Sequence, residues 1–224
     1  MELTVRMPLL IFDLDGTLID SKLDLAHSVN AMLVYMGRPS ISHELVATYI
    51  GNGAPVLVRR ALGPGASDEE VAKGLDFFIR YYAEHCLDNT ALYPGVREAL
   101  DRLQADDAVQ MAVLTNKPVR ISNHIISGLG CGGHFFRVYG GNSFERKKPD
   151  PIGVEKLLAE SGATRDRTVM VGDSAVDIRT ARNAGIRACG VSYGFQPDSF
   201  TADPPDFVID DLRQLAGHLP SMRI

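Results

Sequence analysis

The sequence predicts an α/β fold built on a parallel sheet, with a helical insertion after the first strand. Three observations carry this. Short apolar runs recur at residues 9–14, 109–115, 138–140, 168–172, 187–191 and 207–209. The stretches 96–104, 120–129, 151–161 and 176–184 between them place apolar residues three and four apart, as crossover helices do. Roughly 90 residues separate the first run from the second, where a simple crossover needs a dozen or more.

Continuous apolar runs of this length fit strands covered on both faces, the condition of a parallel sheet. Alternation of such strands with helices defines the α/β class. The long interval contains no strand pattern. It reads as helices at 23–36, 44–50, 55–62 and 69–85, broken at Gly37-Arg38-Pro39-Ser40, Gly51-Asn52-Gly53 and Gly63-Pro64-Gly65. Tyr93-Pro94-Gly95 returns the chain to the sheet. Residues 1–19 and 93–224 are therefore expected to form the core, and 20–92 an inserted helical domain. Asp20 and Ser21 fall at the hinge, where either side chain can cap the first inserted helix.

Composition narrows the partners. Acidic residues outnumber basic ones, 28 to 23, for a net charge of -5, and no long Lys/Arg cluster occurs, so nucleic acid is not expected. Local donors and a bound cation can still draw an anion into a pocket of an acidic protein. The three cysteines, Cys86, Cys131 and Cys189, are odd in number and far apart, which points to neither a disulfide framework nor a zinc site. A reducing cytoplasm is expected. The first residues lack a basic start followed by a sustained apolar stretch, and the run at 8–12 is cut by Asp13, so neither signal peptide nor membrane span is expected.

In an open parallel sheet ligands bind beyond the carboxyl ends of the strands. Four runs end in groups that carry chemistry. The first ends in Asp13-Leu14-Asp15-Gly16-Thr17, whose two carboxylates repel unless a hard divalent cation such as magnesium lies beside them. Gly16 allows a sharp turn, and the Thr17 hydroxyl can hold a carboxylate in place. The second ends in Thr115-Asn116-Lys117, a hydroxyl with a helix start, suited to phosphate oxygens. The third segment presents Lys148 before Pro149, in extended backbone, as a point charge. The fourth ends in Gly172-Asp173-Ser174-Ala175-Val176-Asp177, where Asp173 can complete a magnesium shell and Asp177 support it from one turn on.

These four motifs, Asp13-x-Asp15-Gly16-Thr17, Thr115, Lys148 and Gly172-Asp173-Ser174-x-x-Asp177, resemble those of the haloacid dehalogenase superfamily across nearly the whole chain. The resemblance implies a Rossmann-like, doubly wound core, with the helical insertion as a cap that closes over it. It implies that Asp13 is the nucleophile and forms an aspartyl-phosphate, and that Asp15 moves the proton. Magnesium is then held by Asp13, the Asp15 carbonyl and Asp173, with Asp177 behind. Thr115, the Asn116 amide and Lys148 bind phosphate, and Thr115 and Lys148 join the two aspartates in catalysis. An acid at Asp15 separates phosphoryl transfer from dehalogenation, because a halide leaves without a proton.

Within the superfamily the segments at 13–21, Ile50-Gly51-Asn52-Gly53-Ala54, Arg60-Ala61-Leu62, Thr115-Asn116-Lys117-Pro118 and Lys147-Lys148-Pro149-x-Pro151 are most similar to phosphoglycolate phosphatases. That similarity makes 2-phosphoglycolate the expected substrate, and Gly51, Asn52, Gly53 and Arg60 the specificity residues of the cap. Phosphatases for sugar phosphates, nucleotides or pyrophosphate, a phosphomutase, and a silent phosphate-binding protein remain alternatives. The expected partner is a small phosphorylated metabolite, met by a monomer or homodimer.

Overall fold

The computed structural model describes residues 7–105 and 109–218. The expectation for the first residues rests largely on 1–6, outside the described residues. In chain order the described strands are β1 (Leu9–Phe12), β2 (Ile19–Asp20), β3 (Ala91–Leu92), β4 (Gln110–Leu114), β5 (Arg137–Tyr139), β6 (Thr168–Gly172), β7 (Arg187–Val191) and β8 (Phe207–Ile209). The α-helices are α1 (Lys22–Tyr35), α2 (His43–Ala47), α3 (Ala54–Leu62), α4 (Asp68–His85), α5 (Val96–Ala105), α6 (Val119–Gly128), α7 (Ile152–Ser161), α8 (Ala175–Asn183) and α9 (Leu215–His218).

Six strands form one parallel sheet in the order β5-β4-β1-β6-β7-β8. Counted within the sheet this is 3-2-1-4-5-6, the doubly wound Rossmann arrangement, and the order reverses between β1 and β6. Side chains alternate between the faces, as strand geometry requires. Leu10 and Phe12 of β1 pack with Val96 and Leu100 of α5 and Ile121 and Ile125 of α6. Leu9 and Ile11 pack on the opposite face with Val154 and Leu157 of α7 and Ile178 of α8. With both faces covered, the alternation is invisible as polarity, which is why β1 reads as an unbroken apolar run.

Phe12 pairs with Val113 of β4 and Val171 of β6, so Asp13, Thr115 and Asp173 leave the sheet at one edge. β1 stops two residues before the end of its apolar run at 9–14. The Leu14 carbonyl is taken by a turn, accepting from the amides of Thr17, Leu18 and Ile19 at 3.3, 3.0 and 3.1 Å.

β2 and β3 pair antiparallel and bracket α1 to α4. The sequence shows no strand here because two residues carry no periodicity. α2 ends at Ala47, short of the predicted 44–50, because Thr48, Tyr49 and Ile50 switch to bonds three residues back. α4 starts on a capping box: the Ser67 hydroxyl accepts from the Glu70 amide, and the Glu70 carboxylate from the Ser67 amide. Its Gly74 packs so closely that a Cβ would lie 3.2 to 3.3 Å from Met32, Leu62 and Val58.

The base of the insertion is tied by Asp24 of α1, which is 1% exposed. Its carboxylate accepts from the Asn89 and Thr90 amides (3.0 and 2.8 Å), from Asn89 Nδ2 (2.8 Å) and from Thr90 Oγ1 (2.7 Å). Burial pushes its pKa up, but the donors of Asn89 and Thr90 outweigh burial and hold it below the usual carboxylate range. The three cysteines are buried and free. Among the described residues no helix is long and apolar enough to cross a membrane.

Asp24→Ala leaves these donors buried without an acceptor and is expected to cost about 3 kcal/mol at neutral pH in urea denaturation. Because the folded pKa of Asp24 is depressed, its contribution is full above the unfolded value of 3.8 and is lost as pH falls through the lower folded value. The stability gap between wild type and Asp24→Ala therefore narrows below about pH 4.

Candidate active site

At the point where the strand order reverses, the chain buries one ammonium among carboxylates. Lys148 is 5% exposed, with Nζ 2.8 Å from Asp13 Oδ1 and 2.6 Å from Asp177 Oδ1. Burial works against its charge, but Asp13 and Asp177 outweigh it and hold its pKa above the ordinary lysine value. The Lys148-Pro149 peptide is cis, and the Lys148 carbonyl accepts from Asn116 Nδ2 at 3.1 Å.

Asp13 and Asp173 face the opposite balance. Burial pushes the Asp13 carboxyl up to about 6, with Lys148 pulling against it and Asp177 adding to it. Burial also pushes Asp173 well above its ordinary value, and the charges of Asp177 and Asp13 raise it further. Its Oδ2 accepts from the Phe195 amide at 2.7 Å. Three glycines make room for these acids. A Cβ at Gly16 would lie 2.2 Å from Asp173 Oδ2, one at Gly194 2.2 Å from the Asp173 Cβ, and one at Gly172 2.2 Å from the Asp177 carboxyl carbon. Gly16 also needs its φ of 82° for the turn out of β1.

Carboxylate oxygens of Asp13, Asp173 and Asp177 all lie within 4.8 Å of one another. Three buried acids against one ammonium leave excess negative charge, and the donors are all oxygen, so the residues fit a hard divalent cation. Asp177 is committed elsewhere. Its Oδ1 holds Lys148, and its Oδ2 accepts from the Ser174 hydroxyl (2.7 Å) and amide (3.2 Å) at the start of α8. Asp13 and Asp173 remain as the carboxylates available to an ion, with Asp177 a support for both Lys148 and the helix start.

Asp15 sits apart from this cluster. Lys117 Nζ donates to both its oxygens, at 2.7 and 2.9 Å, and the Ser21 hydroxyl donates to Oδ1 at 2.5 Å. Of the two hinge residues expected to be able to cap α1, Asp20 does so, its Oδ1 accepting from the Lys22 amide at 3.1 Å, whereas Ser21, at the cap position, makes no capping bond with its side chain. The Thr17 hydroxyl is buried without a hydrogen-bond partner and holds no carboxylate, against the expectation. A second correction concerns Thr115-Asn116-Lys117, which forms a loop, since α6 starts only at Val119. Buried Thr115 lies at the mouth of β4, its Oγ1 accepting from the Lys117 amide at 3.3 Å.

A cavity opens between sheet edge and insertion, with about 40 Å³ for the centre of a water-sized sphere, the room of a few waters. Asp13, Asp15 and residues 115–118 line the core side, and Ile50, Leu57, Phe78, Ile79 and Tyr82 the insertion side. Gly51 and Gly53 also reach the cavity. The carbonyls of Ile50, Gly51 and Asn52 accept in turn from Gln196 Nε2 (2.8 Å), Asn116 Nδ2 (3.1 Å) and Lys147 Nζ (2.5 Å). Arg60 does not line the cavity. It is exposed on α3, whose buried face is made by Ala54, Leu57, Val58 and Leu62, and its Nη1 donates to the Tyr49 carbonyl at 3.3 Å. Sequence reasoning gave Lys117 and Tyr82 no role. The signals for Lys117 were its place two residues after Thr115 and its membership of the Thr115-Asn116-Lys117-Pro118 segment.

Comparison with known proteins agrees with this geometry. Residues 10–191 match the family described as haloacid dehalogenase-like hydrolase. A phosphoglycolate phosphatase of Pseudomonas syringae pv. tomato is 42% identical over 213 residues, covering 92% of this chain and 78% of that one. One from Vibrio parahaemolyticus is 38% identical over 214 residues, 92% of this chain and 93% of its own. The crystal structure of a predicted phosphoglycolate phosphatase from Haemophilus somnus superposes with a TM-score of 0.88 at 33% identity, covering 96% of this chain and 99% of that one. The family match begins within β1 and runs to the end of β7, taking in every residue of the buried charge cluster, and the chain belongs to the haloacid dehalogenase-like hydrolases.

Proposed function

We propose that the protein hydrolyses a small phosphate monoester, 2-phosphoglycolate first among candidates, through a covalent intermediate on Asp13. The observation that carries this reading is the buried Lys148 ammonium held between Asp177 and Asp13, the carboxylate that lines the cavity. Lys148 keeps Asp13 in reach and offsets charge on the phosphoryl group as the Asp13 oxygen attacks phosphorus. A magnesium ion held by Asp13, Asp173 and the Asp15 carbonyl would supply further charge neutralisation to the phosphoryl oxygens.

Asp15 gives its proton to the leaving oxygen as the ester bond breaks. It then takes a proton from the water that attacks the phosphorus of the acyl phosphate, which frees phosphate and regenerates Asp13. The Thr115 hydroxyl and the Asn116 amide orient the phosphoryl oxygens at the end of β4. The insertion, residues 20–92, works as a cap that excludes bulk water. Its segment 50–52, whose three carbonyls accept from core side chains, is the docking edge of that cap.

Two features support a small substrate: the cavity's room for only a few waters, and the names borne by relatives about 40% identical to this chain. The test is release of phosphate, with magnesium present, from 2-phosphoglycolate beside sugar phosphates, a nucleotide and pyrophosphate. Release from none of them would sink the proposal.

Asp13→Asn and Lys148→Ala are each expected to lower kcat by at least about a thousandfold while the protein stays folded by circular dichroism. Persistent turnover in purified Asp13→Asn would refute the covalent route. Magnesium affinity, followed by calorimetry, is expected to weaken as pH falls through about 6, because raised pKa values let protons compete for Asp13 and Asp173. Affinity independent of pH between 5 and 8 would exclude these two carboxylates as the ligands.

A further inference from the structure

The insertion supplies the cavity with apolar side chains and with no charged one among the described residues. Arg60 is spent on the Tyr49 carbonyl, and Arg59 on Asp68 at 2.6 Å, both away from the cavity. A substrate that carries a second anion must find its cation elsewhere. Lys117 is the one lysine or arginine that lines the cavity among the described residues, and it belongs to the core.

Its surroundings are built. The Lys117 side chain is 4% exposed, with Nζ bridging both Asp15 oxygens and lying 4.6 Å from the centre of the Tyr82 ring. An ammonium has three hydrogens, so two bonds to Asp15 leave one to donate. Tyr82 lines the same cavity and is 1% exposed, yet its hydroxyl has no hydrogen-bond partner. The nearby Ser21 hydroxyl gives its hydrogen to Asp15, which leaves its oxygen as a neutral acceptor beside Tyr82. A carboxylate is a stronger acceptor than a serine oxygen, so the Tyr82 hydroxyl can turn to an anion in the cavity.

From this geometry we infer that Lys117 and Tyr82 form the subsite for a carboxylate on the leaving group. The inference rests on the phosphatase reading above, in which Asp15 protonates the leaving oxygen. In 2-phosphoglycolate the carboxylate carbon lies two bonds from that oxygen. A cation already bonded to Asp15 is therefore beside a carboxylate placed there. The substrate class that follows is the phosphate ester of a short 2-hydroxy acid. The core, and not a cap arginine, reads the acid.

The test compares kcat/KM for 2-phosphoglycolate with that for ethyl phosphate, which lacks the carboxylate, in wild type, Lys117→Met and Tyr82→Phe. Taking the ratio of the two esters within each protein, then across proteins, cancels the difference in intrinsic reactivity. The preference for 2-phosphoglycolate is expected to fall by about tenfold to hundredfold in Lys117→Met, the worth of a hydrogen bond to a charged group. A smaller fall, several-fold, is expected in Tyr82→Phe, which keeps the ring and its packing and carries the test alone if Lys117→Met does not fold. Equal losses on both esters would mean that Lys117 only positions Asp15, and would overturn the inference while leaving the phosphatase reading intact. Wild type that hydrolyses neither ester would overturn both.

Discussion

The Lys148 ammonium is the constraint on which the site depends. It is buried between Asp13 and Asp177, and a charge so far from water persists only when paired and hydrogen-bonded. Asp13 follows β1 and Asp177 lies in the first turn of α8 after β6, so the pairing holds together the exit of β1, the start of α8 and the loop that follows β5. Asp177 then does two things at once, holding the lysine with one oxygen and closing the start of α8 with the other. What is left over is negative charge on Asp13 and Asp173, and that surplus is what suits the site to a hard cation and, through it, to a phosphoryl group.

Polar and apolar work are divided between the two parts of the chain. The charged groups that line the cavity, Asp13, Asp15 and Lys117, come from the core, beyond the ends of β1 and β4. The insertion adds a wall of Leu57, Phe78, Ile79 and Tyr82, and a turn that meets the core through backbone carbonyls. Docking by backbone makes few demands on side chains at 50–52, while the glycines there need positive φ, 103° at Gly51 and 83° at Gly53. At Gly53 the core also comes close, since a Cβ would lie 3.1 Å from the Asn116 carbonyl. The same Asn116 side chain that bonds the Gly51 carbonyl bonds that of Lys148, so the position of the insertion is linked physically to the loop carrying the central ammonium. In the proposed reaction that link lets a closed cavity and a correctly placed lysine occur together.

Asp15 shows how differently two neighbouring carboxylates can be treated. Asp13 is buried among other acids, with one cation in reach, and its pKa is raised. Asp15 faces the cavity with Lys117 on both oxygens and Ser21 on one. The roles proposed for them, nucleophile and proton carrier, call for unlike surroundings. The two-residue spacing in Asp13-Leu14-Asp15 delivers them because the chain turns at Leu14, whose carbonyl closes the loop, and sends the second acid toward the insertion.

Much of this architecture was legible in the amino-acid order. The apolar runs located the six strands of the sheet, and two of those runs ended in the acids of the site. Four helices in the long interval were readable from their spacing and their glycine breaks. Local pattern suffices there, because burial on two faces or one stripe leaves its mark on consecutive residues. Sequence could not reveal that Ser21 serves Asp15 rather than its own helix, that Thr17 holds nothing, or that Arg60 turns away from the cavity. Nor could it pair Lys117 with Asp15, 102 residues distant. Those outcomes are set by which side chains the strand register and the packing of α3 and α4 bring within hydrogen-bond distance, and short-range polar contacts depend on geometry that periodicity does not encode. The chain's order alone determined that Asp13, Thr115, Lys148 and Asp173 could meet at one sheet edge; the tertiary structure decided which of their neighbours lines the cavity, because only there do distant segments compete for the same few ångströms.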